Sequence, residues 1–309
     1  MGIILKITFY IFIIAFILSF LLIYSNTHPP RYPLHIPPSN YGLHYENIEF
    51  TTPDKILLKG WFIKGTTPSV PLNKGGFRVL SPVIIICHGL GANKSDFTEF
   101  ASTLSKEGYH VLLFDFRGHG ESGGRGSSLG FLEQIDLKGA IEYVKSRADV
   151  NMDKIGVYGF SLGAAVAILT VSSIRQAHDR GENDVKAVVS DSSFTSLKSQ
   201  GERVLKSSFL PKIPFLYIAI KIYEIMFRTD IQRIAPVNFI GKLSPTPVFI
   251  IGGERDEQMP ASDAEELFKN AREPKFLWII KDAFHGGTIS SADREYEKRV
   301  IEFFDKYIQ

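Results

Sequence analysis

Between residues 82 and 308 short apolar runs alternate with stretches of helical periodicity. The runs at 82–87 (PVIIIC), 109–115 (YHVLLFD), 154–158, 185–190, 246–251 and 275–280 are rich in β-branched and aromatic residues and read as buried strands. Helical patterns fall between them at 95–107, 130–147, 162–177, 261–271 and 290–308. In the first, Phe97, Phe100 and Leu104 keep one face apolar. Such alternation predicts an α/β fold, a mostly parallel central sheet with helices on both faces. Ahead of it, YENIEFTTPDKILLKGWFI reads as a hairpin turning at Thr52–Asp54. The rhythm breaks over 192–244, which reads as an insertion after a strand.

The amino terminus follows a different pattern. Residues 7–24, ITFYIFIIAFILSFLLIY, hold no charge and only Thr8 and Ser19 as aliphatic polar groups. A helix of that length matches the hydrocarbon core of a bilayer. LLIYSNTHPP offers only a poor signal-peptidase site after Ser25, so the segment reads as an uncleaved, single-pass anchor over 1–25, with a cleaved signal and a buried helix as the alternatives. Pro29, Pro30, Pro33, Pro37 and Pro38 keep 26–43 extended, as a spacer before a domain spanning 44–309. Lys6 precedes the span and Arg31 is the only strong base close after it. The bias leans toward an extracytoplasmic domain.

Composition narrows the classes. The chain is 44% hydrophobic with a formal net charge of +2, which gives no footprint for nucleic acid. A single cysteine, Cys87, excludes an internal disulfide. The eight histidines show no HExxH or paired Cys/His spacing, so no metal site is expected and no cofactor is implied. Gly118, Gly120 and Gly123 satisfy GxGxxG, but the chain continues as GRGSSLG instead of opening a helix. The pattern therefore reads as a loop and not as a dinucleotide site.

The chemistry gathers around GVYGFSLGAAVAIL. It sets Ser161 between Gly159 and Gly163, at the turn from strand 154–158 into helix 162–177. A tight turn there projects the hydroxyl outward and demands small residues two before and two after it. The free N–H groups of the helix start favour a developing oxyanion. Serine needs a base and an orienting acid. His285 follows the last predicted strand and Asp256 the one before it, so all three fall at one sheet edge. Glu254 and Glu257, flanking Asp256, and Asp191, ending strand 185–190, are the competing acids.

Four motifs, HGLG (88–91), DFRGHGES (115–122), GFSLG (159–163) and GGERDEQMP (252–260), followed by FHGG, resemble those of α/β-hydrolases. The combination is similar to the membrane-anchored and serine-aminopeptidase-like branches. The resemblance implies that Ser161 attacks an acyl carbon, His285 moves the proton and Asp256 orients the imidazole. It also implies an oxyanion hole from the backbone N–H groups of Leu90 and Leu162, supported by His88 and Gly89. His88 and His119 then read as structural histidines, and 192–244 as a lid over the site. Within it, FLPKIPFLYIAIKIYEIMF (209–227) is apolar but carries Lys212, Lys221 and Glu224, too polar for a second span. It either packs on its own domain or forms a surface that touches lipid or lines an acyl pocket.

The reading is an anchored serine hydrolase of a small carboxylic ester, thioester or other acyl substrate, with no nucleic-acid partner. The alternatives are a peptidase on short peptides and a catalytically silent anchored binding protein. Which acyl group it takes and its oligomeric state are not legible in the sequence.

Overall fold

The computed structural model describes residues 2–66, 80–177, 184–207 and 212–309. In chain order it runs α1 (Gly2–Thr27), β1 (Tyr45–Thr51), β2 (Leu57–Ile63), β3 (Ser81–Cys87), α2 (Thr98–Lys106), β4 (His110–Phe114), α3 (Glu133–Ser146), β5 (Val150–Phe160), α4 (Leu162–Ala177) and β6 (Val185–Asp191). The second half adds α5 (Leu197–Ser207), α6 (Lys212–Phe227), a single turn α7 (Pro236–Phe239), β7 (Val248–Gly253), α8 (Ala261–Asn270), β8 (Lys275–Ile280), α9 (Thr288–Ala292) and α10 (Arg294–Ile308). The strands form one eight-stranded sheet in the order β1-β2-β4-β3-β5-β6-β7-β8. From β4 to β8 every pairing is parallel, and the β1–β2 hairpin joins the β4 edge antiparallel.

The strand sequences explain this arrangement. Val83, Ile84, Ile85 and Ile86 of β3 are all buried because both sheet faces are covered, so the strand is continuously apolar instead of alternating. One face packs under α3, α4 and α8, with Ile85, Val157 and Val188 in that core. The other packs under α2 and α10, with Ile84, Tyr158 and Phe304. Gly156 lets α10 approach closely, since a Cβ there would lie 2.7 Å from the Phe304 ring.

The expected insertion is α5, α6 and α7 between β6 and β7; its residues 208–211 lie outside the described residues. The most apolar window of α1 has a mean hydropathy of 2.6 and is only 11% buried, and among the described residues it is the one helix long and apolar enough to cross a membrane. Its inner face does not stand free. Ala15 and Ser19 are buried against Phe215, Ile218 and Ile222 of α6, and the Ser19 hydroxyl donates to the Phe215 carbonyl at 3.2 Å. Small side chains at that spacing let two helices approach closely.

The Pro-rich segment is extended only over 29–37, since α1 continues through Thr27 and Pro38–Tyr41 form a 3-10 turn, and it lies along the domain and does not stand off from it. The Arg31 guanidinium donates to the carbonyls of Gly120, Ser122 and Gly124 at 3.2, 2.6 and 2.7 Å. The Tyr32 carbonyl accepts from Asn93 Nδ2 at 3.3 Å, and that of Ile36 from the Thr98 hydroxyl at 2.8 Å. Proline segments leave their carbonyls free, and a loop of turns has spare acceptors of its own. Each therefore meets donors supplied by the other.

Candidate active site

The turn between β5 and α4 carries Ser161 at φ 53°, a left-handed conformation rare for a residue with a Cβ. It is held by the Ser161 N–H donating to the Asp191 carbonyl at 2.8 Å. The flanking glycines are dictated by space. A Cβ on Gly159 would overlap the Gly163 carbonyl, and one on Gly163 would overlap the backbone of Cys87. Strand, turn and helix thus close on one another only without side chains at those two positions.

His285 and Asp256 come from the loops after β8 and β7, at the same edge as Ser161. His285 Nε2 lies 3.1 Å from Ser161 Oγ, and its Nδ1 lies 2.7 Å from Asp256 Oδ2. The Asp256 side chain is fully buried, and its Oδ1 accepts from the N–H groups of Gln258 at 2.9 Å and Met259 at 2.7 Å. A carboxylate fixed by two backbone donors fixes the imidazole in turn, leaving Nε2 free to exchange a proton with the hydroxyl. Phe160 flanks the imidazole, with ring centroids 5.2 Å apart.

The competing acids are engaged elsewhere. Glu254 accepts from the Asp282 N–H at 3.0 Å, and Glu257 is exposed. Asp191 is fully buried and accepts from Tyr296 at 2.7 Å, Thr288 at 2.7 Å, Ser192 at 2.9 Å and Tyr158 at 3.2 Å. Burial raises its carboxyl above the ordinary range, the four hydroxyls opposing that rise.

His88 uses both ring nitrogens. Nε2 accepts from the Phe116 N–H at 3.0 Å, so Nδ1 carries the proton and donates to the Gly89 carbonyl at 2.7 Å. Burial first, and the His119 imidazole beside it, hold it well below the usual imidazole range and therefore neutral. It shapes the loop that presents Gly89 and Leu90. The His119 Nδ1 is likewise turned to its own loop, toward the Arg117 carbonyl at 2.9 Å. Leu90 and Leu162 follow Gly89 and Ser161 in the two loops, and their N–H groups donate to no acceptor among the described residues. No cluster of His, Cys, Asp or Glu suited to a metal ion occurs among the described residues.

Sequence reasoning missed what locks these loops together. Lys94 is buried, with Nζ 2.6 Å from Asp115 Oδ2 and 2.8 Å from Glu121 Oε2, while the Asp115 carboxylate also accepts from the Lys94 and Glu121 N–H groups at 2.7 and 2.9 Å. The pair pins the 88–97 loop to the 115–122 turn, and removing either partner would leave a buried charge. It also missed a knot under α3. There the Glu133 carboxylate accepts from Ser127 Oγ, the Ser128 N–H and hydroxyl, and the Gly130 N–H at 2.5–2.9 Å. The signal was present: Asp115 precedes and Glu133 follows the Gly- and Ser-rich stretch 117–130, where spare N–H groups and hydroxyls collect.

Residues 82–217 match the family model described as alpha/beta hydrolase fold. The chain is 30% identical over 260 residues to YfhR, an uncharacterized protein of Escherichia coli K12, covering 84% of this chain and 80% of that one. It is 26% identical over 285 residues to the alpha/beta hydrolase domain-containing protein WAV2 of Arabidopsis thaliana, covering 88% and 82%. Among solved structures it is similar to the Pyrococcus furiosus esterase Pf2001, with a TM-score of 0.71 and 29% identity over 92% of this chain and 99% of that one.

Proposed function

The chain belongs to the α/β-hydrolase family, and from that premise we propose that it is a serine hydrolase that cleaves a carboxylic ester or thioester through an acyl-enzyme on Ser161. The observation that carries the reading is the unbroken line of hydrogen bonds from Asp256 through His285 to a hydroxyl held on a strained turn. The likeness to an esterase at 29% identity supports the choice of ester chemistry.

Ser161 Oγ forms the bond to the acyl carbon as His285 Nε2 takes its proton. The carbonyl oxygen becomes an oxyanion facing the N–H groups of Leu90 and Leu162, where preorganised donors outperform water because they need no reorientation. The carbon–oxygen or carbon–sulfur bond then breaks, and the leaving alcohol or thiol takes the proton from Nε2. Water attacks the acyl-enzyme, giving its proton to His285. The acid departs as Ser161 recovers its hydrogen. Asp256 does not itself take the proton; it keeps Nδ1 protonated and stabilises the imidazolium. In this reading α1 is a single-pass anchor that holds the domain on the extracytoplasmic face, with 26–43 strapped along the domain it carries and α5–α7 as the lid.

The test is fluorophosphonate labelling and ester turnover of the full chain in detergent beside Ser161→Ala. Labelling is expected to vanish and kcat to fall by at least about 10³-fold. A variant that still labels and turns over like the parent would remove Ser161 from the chemistry.

A further inference from the structure

The geometry points to a second role for the anchor helix: we propose that the cavity enclosed by α1, α5 and α6 binds the alkyl chain of an ester lipid drawn from the bilayer. The inference rests on the hydrolase reading above and names its substrate class. The cavity has a volume of about 70 Å³, and α1 supplies one wall through Leu22 and Ile23. The opposite walls come from Leu205 of α5 and from Leu216 and Ala219 of α6, over a floor at Leu129. By the same measure a single water needs only a small fraction of that space, so the cavity holds a run of several methylenes.

Its lining has a direction. Ser19 meets Phe215 at one end of the α1–α6 contact. At the other, the Thr27 carbonyl accepts from the Ser127 N–H at 2.7 Å and the Tyr223 hydroxyl donates to the Ser128 carbonyl at 2.5 Å. The two helices therefore run side by side in the same sense. Along that axis the lining passes from Leu22 to Asn26 on α1, from Leu216 to Tyr223 on α6, and from Leu205 back to Gln200 and Lys198 on α5. The lining is apolar at the end remote from the domain, and its polar side chains, Asn26, Tyr223, Lys198 and Gln200, fall toward the end beside the domain, where Leu129, Leu197 and Ile231 also line it. That is the polarity profile of an amphiphile standing with its tail in the membrane.

Two further observations choose the occupant and relate it to Ser161. The outer face of α6 exposes Ile213, Tyr217 and Ile225, with the Lys221–Glu224 ion pair between the last two, beside a helix whose own outer face is apolar from Ile7 to Tyr24, so two walls of the cavity are backed by largely apolar outer faces. At the near end, Leu129 leads into Gly130, where an added Cβ would lie 3.5 Å from the Leu162 side chain, next to the proposed nucleophile. Ser161, Asp256 and His285 do not line the cavity. A chain seated in it would hold its ester group beyond the Leu129 turn, toward Ser161.

The experiment uses the full chain in phospholipid nanodiscs. The readout is the ratio of kcat/KM for p-nitrophenyl laurate to that for the butyrate. Ile23→Trp fills the cavity from the anchor and Ala219→Trp from the lid; each is expected to lower the ratio by at least about tenfold, the scale of a lost methylene-binding pocket. Ile23→Ala enlarges it and is expected to move the optimum to longer chains, while Met152→Ala, on a distant exposed surface, leaves the ratio unchanged. Displacement of dansyl-undecanoic acid from the Ser161→Ala protein reads binding without turnover. Saturable binding abolished by Ala219→Trp would support the cavity even if no ester in the series were cleaved, an outcome that would count against the hydrolase reading alone. Ester cleavage with an unaltered chain-length ratio in both tryptophan variants, and no saturable binding, would overturn the inference and leave the hydrolase reading standing.

Discussion

Two carboxylates are buried at the same edge of the sheet, a strand apart, and they are built in opposite ways. Asp256 takes its hydrogen bonds from two backbone N–H groups and one imidazole. Asp191 takes them all from side-chain hydroxyls. A backbone donor cannot rotate away, so Asp256 is an oriented group whose remaining valence is directed at His285. Hydroxyl donors come from wherever the chain passes, so Asp191 ties together Tyr158 of β5, Thr288 three residues after His285, and Tyr296 of α10. The first arrangement suits orientation of a moving proton and the second suits fastening. Burial alone therefore does not separate the proposed orienting acid from a fastening one; the kind of donor around each does.

The comparison breaks most sharply at Asp256→Asn. An amide facing Nδ1 favours the wrong tautomer, so ester kcat should fall by about 10⁴-fold with little change in melting temperature. A loss of under tenfold would hand the orienting role to another acid. Asp191→Asn should do the reverse. It turns an acceptor toward hydroxyl donors into a mixed amide, which should lower stability by roughly 1–3 kcal/mol in urea unfolding while sparing far more of the turnover.

The same variant carries a pH signature. The folded-state pKa of Asp191 is raised, so the unfolded chain ionises first as pH increases. The parent should therefore lose stability across the interval just above the ordinary carboxylate range and level off once the folded-state pKa is passed. Asp191→Asn should lack that decline, and an identical slope in both proteins would place the titration elsewhere. The mildest test is Thr288→Val, which deletes one donor and should cost about 1 kcal/mol.

Much of this was legible before any coordinates. Every expected strand lies within a residue or two of its place, except β5, which runs from Val150, four residues ahead of its apolar stretch. Apolar runs such as VIII cannot be exposed, and Gly159 and Gly163 mark a close approach that nothing larger allows. Ser161, Asp256 and His285 were expected in loops at one sheet edge, and Asp256 was preferred to Glu254, Glu257 and Asp191 because of the resemblance to the family motif. The contacts of α1 were hidden: Ala15 and Ser19 look like ordinary members of an apolar segment, and only their juxtaposition with Phe215 makes them a packing face. The extended shape of 29–37 was readable from its prolines, but the turn at Pro38–Tyr41 was not, and the Arg31 contacts depend on carbonyls about ninety residues away. Asp191 was legible as a buried edge acid, but its four hydroxyl donors come from three separate elements that no local pattern relates.

If α1 anchors the chain in a bilayer, the strap made by Arg31 and its neighbours also bears on how far the proposed catalytic centre could travel. Sixteen free residues between a bilayer and a domain would span roughly 50 Å when extended, wide enough to sample the surrounding water. If α1 is the anchor, its packing on α6 and the guanidinium clasped by three carbonyls would together remove that excursion and keep the mouth of the proposed site at a set height above the bilayer. For such an enzyme, turnover would follow the mole fraction of substrate in the lipid surface instead of its bulk concentration. Diluting the membrane with inert lipid would then slow the reaction even with total substrate held constant.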